Sequence, residues 1–161
     1  MIKMKKIIII LVCFALFFGC TNPVNPATDT EFNDLKKDFG VEVGFVSDID
    51  IMNSYIIELS ILRSRSNIPL SDVIDVELSS AQSFYYLTKA FNESSQINYS
   101  KNHCQSQYYK NTLTYLDLTI NHSNKEYNIL DLGLLREGQL EQLKEFNSIA
   151  KELKSSLRQT C

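Results

Sequence analysis

Residues 140–157 read Leu140-Glu141-Gln142-Leu143-Lys144-Glu145-Phe146-Asn147-Ser148-Ile149-Ala150-Lys151-Glu152-Leu153-Lys154-Ser155-Ser156-Leu157, with Leu140, Leu143, Phe146, Ile149, Leu153 and Leu157 recurring every three or four positions. That is the period of a helix with one buried face, whereas a half-buried strand would alternate every two residues. Acidic residues fall early in the segment and basic ones late, which complements the helix dipole.

The same spacing repeats toward the N-terminus. Tyr109, Leu113, Leu116 and Ile120 predict a fourth helix over about 102–121, although the composition of Thr112–Thr119 also suits a strand and both readings stand there. Leu70, Ile74, Leu78, Ala81, Tyr85, Leu87 and Phe91 predict a long third helix that starts at Pro69 and Ser71 and ends near Asn92, followed by a polar loop to Lys101. A second loop runs through Asn128 to the last helix. Met52, Tyr55, Ile56, Leu59 and Leu62 predict the second helix, which Ser47-x-x-Asp50 can cap. Before it, Val41, Val43 and Phe45 alternate briefly, as an extended connector would. Thr28-x-x-Glu31 is a capping box for a short first helix carrying Phe32, Leu35 and Phe39 and stopping at Gly40. Amphipathic helices joined by polar connectors imply an all-α fold, a small antiparallel helical bundle of four to five helices over residues 28–161.

The N-terminus is built differently. Basic residues Lys3, Lys5 and Lys6 precede an unbroken apolar run of 12 residues, Ile7–Phe18, which has the anatomy of a signal peptide. As a helix that run rises only about 18 Å, short of a hydrocarbon core of about 30 Å. It stops at Phe17-Phe18-Gly19-Cys20, which resembles the lipobox of prokaryotic lipoproteins: a small residue at −1 and a cysteine at +1. The resemblance covers only these first 20 residues, and the chain departs from the family's Leu at −3 and small residue at −2 with Phe17 and Phe18. It implies a signal peptide over 1–19, diacylglyceryl on the Cys20 thiol, and cleavage before Cys20. Cys13 does not fit, because Val12 before it is not small and the apolar run continues past it. Residues 20–27, with two Asn-Pro pairs and no hydrophobic period, read as a lipidated cysteine and tether. The expected location is a membrane outside the cytoplasm; Thr21, standing where an Asp would mark inner-membrane retention, favours the outer membrane in a two-membrane host. Two acyl chains hold a protein stably where one does so only marginally.

The mature part holds 13 basic and 19 acidic residues, a net charge of −6, which excludes nucleic acid as an expected partner. Besides Cys20 it contains two cysteines, Cys104 and Cys161, and in an exported protein these are expected to pair as a disulfide. The sharper alternative makes Cys104 a nucleophile with His103 or His122 as base, but neighbours on an α-helix point about 100° apart and pair poorly. Glu137, Glu141 and Glu145 form an i, i+4, i+8 row that suits a cation in principle, with Lys144 competing; such a row is ordinarily a solvated face. With two histidines, and no Cys or His pair at zinc-ligand spacing in the mature part, no metal is expected, and no cofactor motif occurs. Tyr85-Tyr86 and Tyr108-Tyr109 offer rings for a sugar or peptide to stack on, against the plainer expectation of one core and one surface tyrosine in each pair. The three sequons at Asn92, Asn98 and Asn121 are what chance produces in a chain this rich in Asn, Ser and Thr.

These readings converge on a lipid-anchored, non-catalytic module that binds or positions a protein partner, with no catalytic residue expected. Two other classes are defined by what they require: an enzyme needs ionisable groups from several helices gathered in a pocket, and a carrier needs an apolar cavity between helices.

Overall fold

The computed structural model describes residues 25–42, 44–100, 102–125 and 137–161. The leader, Cys20 and the tether as far as Val24 lie outside them, as do Val43, the second half of the expected 122–128 loop and the Glu137 side chain. Among the described residues the fold is all-helical, a small bundle: α1 (Asp29–Asp38), α2 (Ile49–Arg65), α3 (Ile68–Ser94), a 3-10 turn at His103–Gln105, α4 (Gln107–Ser123) and α5 (Glu137–Gln159). None of these helices is long and apolar enough to cross a membrane.

The capping box at α1 forms as its residues dictate. Thr28 Oγ1 accepts from the Glu31 amide at 3.2 Å, and the Glu31 carboxylate accepts from the Thr28 amide at 3.0 Å. At the other end the Gly40 amide donates to Lys37 O at 3.0 Å and the Val41 amide to Lys36 O at 2.9 Å, with Gly40 at φ +66°. This is a Schellman turn, and it requires the left-handed backbone that glycine adopts at low cost. Val41 is buried by that turn and does not begin an extended connector.

Asp48, not Ser47, caps α2, accepting from the amides of Asp50 and Ile51. An Asp one position nearer the helix is an equally good acceptor, and it displaces the Ser47-x-x-Asp50 box. Likewise Asn67 caps α3 by accepting from the Leu70 amide, so the helix starts at Ile68 with Pro69 in its first turn, ahead of Ser71. At 27 residues α3 is about 40 Å long and serves as the spine. Phe91, expected in its core stripe, is instead 49% exposed, and the helix continues to Ser94.

The register follows from pairwise contacts. Arg63 of α2 makes two bonds to Asp75 of α3, and Tyr55 meets Glu77, so α2 lies antiparallel along the first half of α3. Asn111 to Glu93 sets α4 antiparallel along the second half. Asn147 to Ser123, together with the Lys154–Asp117 ion pair, sets α5 antiparallel to α4 and hence parallel to α3. The 112–120 segment is helical, with Tyr109, Thr112, Leu116, Thr119 and Ser123 as its most buried residues and Leu113 and Ile120 at the margins.

Two cores result. The first gathers Phe32, Val41, Met52, Tyr55, Leu59, Leu62, Leu70 and Ile74 from α1, α2 and the start of α3. The second gathers Leu87, Ala90, Ile97, Tyr109, Leu116, Phe146, Ala150 and Leu157 from α3, α4 and α5. Phe45 and Phe84 pack against both, and ring contacts at 5.4 Å (Phe45–Phe84) and 6.0 Å (Phe84–Phe146) join the two.

Candidate functional site

A cleft of about 720 Å³ opens where α1, the 41–45 segment, α3 and the start of α5 meet. Phe32, Val41, Phe45 and Val73 give it apolar walls. Glu77 stands in it, 1% exposed, on the core face of α3 between Ile74 and Ala81.

Burying a carboxylate is costly unless donors surround it. Glu77 has two, and an ion-pair partner. Tyr55 donates its hydroxyl at 2.8 Å, Gln139 donates from α5, and the Lys36 ammonium of α1 sits 3.6 Å away. One side chain thus ties four helices together. Burial, and then the adjacent Glu77 carboxylate, push the Tyr55 phenol far above its ordinary pKa, so it remains a protonated donor at any physiological pH. With two hydrogen bonds and an ion pair holding it, the carboxylate is a fixed polar wall of the cleft.

The rim carries Asp29, Glu42, Glu141 and Glu145, with Lys36 the basic residue of the lining, so the mouth is electronegative. Glu141 and Glu145 are exposed, as expected of a solvated face, and that face borders the cleft.

At the opposite end of α3 the structure brings Cys104 and Cys161 to disulfide distance, with S–S 1.96 Å and Cα–Cα 5.9 Å. The expectation that neighbouring His103 and Cys104 pair poorly is corrected: His103 Nε2 lies 3.4 Å from Cys104 Sγ and 3.9 Å from Cys161 Sγ. The 100° argument holds for an α-helix, and these residues sit in a single 3-10 turn ahead of α4. His103 is held by Ser100 O through Nδ1 at 2.9 Å and by Thr160 Oγ1 through Nε2 at 3.2 Å. At that distance the sulfurs can bond to each other, and as a disulfide they would be neither thiolate nucleophiles nor thiolate ligands.

His122 is remote from both cysteines in sequence and stacks on Tyr86, with centroids 5.4 Å apart. Burial, and then nearby Lys125, lower its pKa from the usual value. Tyr85 and Tyr86 are both half-buried and are engaged by neighbours: Tyr86 stacks on Tyr115 and His122, and the Lys89 ammonium lies over Tyr85 and Tyr115. They are not an open stacking platform. Tyr109 is core and Tyr108 surface, the plainer expectation for that pair.

Sequence reasoning missed Lys36, Tyr55, Glu77 and Gln139 as a group. A signal existed for one of them, because Leu70, Ile74, Glu77 and Ala81 fall at spacings of four, three and four, which places a carboxylate on an apolar stripe. Comparisons with protein-family models, with curated proteins and with solved structures each return no match.

Proposed function

We propose that the chain is a lipid-anchored lipoprotein of the cell envelope or surface whose helical domain binds a protein partner without catalysing a reaction. The observation that carries the binding role is the cleft, apolar in its walls, acidic at its mouth and fixed in shape by a Glu77 carboxylate that its own donors hold. Its electronegative mouth complements a partner segment that presents basic and apolar residues together. The anchor rests on the leader ending in Gly19-Cys20, and export agrees with a Cys104–Cys161 pair at bonding distance.

An enzymatic reading draws on the cleft's ionisable groups, which come from three helices. Against it stands the engagement of Glu77, the one carboxylate buried in the cleft, by two hydrogen-bond donors and the Lys36 ammonium.

Two measurements test the proposal in cells. Radiolabelled palmitate should enter the protein and be lost in Cys20→Ala; label that persists in that variant would overturn the anchor. A photo-crosslinking residue at Asn33 or Gln142, both in the cleft lining, should trap a partner that the same residue at exposed Ser64 does not. Equal trapping from all three positions would refute the cleft as the binding face.

A further inference from the structure

We propose that the corner where α2 meets α3 rests on the bilayer, with Ile68 and Ile61 as its apolar contacts. This inference depends on Cys20 being the lipid anchor.

The tether enters the fold at a fixed place. The Ala27 amide donates to Arg65 O at 3.1 Å, at the last residue of α2, and Ala27 is itself buried. Six residues lie between Cys20 and Ala27, seven steps of chain, so the Cys20 backbone can stand at most about 25 Å from this corner. The far end of α3 is about 40 Å away along the helix, beyond that reach. A domain held on so short a strap presents the corner, or the flank beside it, to the membrane.

What the corner displays suits an apolar surface. Ile68 is 78% exposed, the highest figure among the large hydrophobic residues described, and it opens α3 three residues after Arg65. Ile61 is 48% exposed one turn before the end of α2, and Ile57, another turn back on the same side, is 51% exposed. The two arginines nearby are matched: Arg63 makes two bonds to Asp75, and Arg65 pairs with Glu31 at 3.5 Å. Glu58 and Asp72 are exposed carboxylates beside the isoleucines, so the contact is through the isoleucine side chains and does not depend on anionic headgroups.

The chain contains no tryptophan, so one introduced by substitution reports alone. The full-length lipoprotein would be purified from palmitate-labelled cells as Ile68→Trp and, separately, as Tyr99→Trp, whose site is 57% exposed beyond the far end of α3. Each would be reconstituted into phosphatidylcholine vesicles with or without lipid brominated on its acyl chains. Ile68→Trp should show blue-shifted emission and lose most of its intensity to bromine, while Tyr99→Trp keeps both, with no change when anionic lipid is added. Labelled protein in which both sites quench equally, neither quenches, or quenching needs anionic lipid overturns the orientation but leaves the anchor standing. Protein that carries no label overturns the anchor and the orientation with it.

Discussion

The two ends of α3 are stabilised by different means. Around its first half, large apolar residues from α1 and α2 enclose a buried carboxylate whose two hydrogen-bond donors and one ion-pair partner come from three other helices. Around its second half the buried polar groups are small hydroxyls that need no partner elsewhere: Ser83 donates to Ser79 O, Thr112 to Tyr108 O, Thr119 to Tyr115 O and Ser123 to Thr119 O, each within its own helix. Asn147 then reaches Ser123 from α5, and the Cys104–Cys161 pair closes the end. The first half depends on a polar network that must be complete. The second depends on close approach of small side chains and a covalent tie. A hydroxyl that bonds its own preceding turn behaves toward a neighbouring helix almost as an alanine would, whereas a buried carboxylate tolerates no missing donor.

Opening the covalent tie should have the largest effect. Reduction, or Cys104→Ser, frees a closed loop with a sequence separation of 57 and should cost about 4 kcal/mol on the chain-entropy model. Thermal unfolding with and without reductant measures it, and an unreduced tryptic map should contain a peptide joining Cys104 to Cys161. If both thiols of exported protein instead react with iodoacetamide, the second half holds together without the tie.

Next comes Tyr55→Phe, which keeps the ring and removes one donor from Glu77. It should cost about 1–3 kcal/mol in urea unfolding, the range for stranding part of a buried acceptor. A neutral result would mean that Gln139 and Lys36 suffice.

A smaller effect belongs to acid. His122 has a folded pKa below its unfolded value near 6.5, so above that value both states are neutral and folding is not penalised. As pH falls through 6.5 the unfolded chain binds the proton first, and stability should decline until the folded pKa is passed. His122→Phe should flatten that part of the pH profile, and an unchanged slope would assign the decline to other groups.

Smallest of all is Ser83→Ala, at full burial. Its hydroxyl serves only its own helix, so urea unfolding should shift by no more than about 0.5 kcal/mol. A loss comparable to that of Tyr55→Phe would erase the distinction between the two halves.

The helices were legible because their apolar residues repeat at three and four. Leu143, Phe146 and Leu157 are buried in α5 as that period requires, and the capping box at Thr28 and the stop at Gly40 both form. The Cys104–Cys161 proximity was legible from the cysteine count and the expectation of export alone. The face of α4 was partly misread, since a hydrophobic count gives weight to Leu113 and Ile120 while the most buried positions include Thr112, Thr119 and Ser123. The cap of α2 shifted by one residue because Ser47 and Asp48 are chemically similar acceptors, and only tertiary packing chooses between them. The cleft was not legible, because Lys36, Tyr55, Glu77 and Gln139 lie up to 103 positions apart and no local pattern links them.

The bridge between Cys104 and Cys161 also changes what a protease can accomplish. With the bridge closed, a single cut anywhere between those two residues leaves the C-terminal piece covalently joined to the rest of the chain. Such nicked molecules would migrate as one species on a gel without reductant and as two after reduction, and clipping of α4 or α5 would not release a fragment from the rest of the chain.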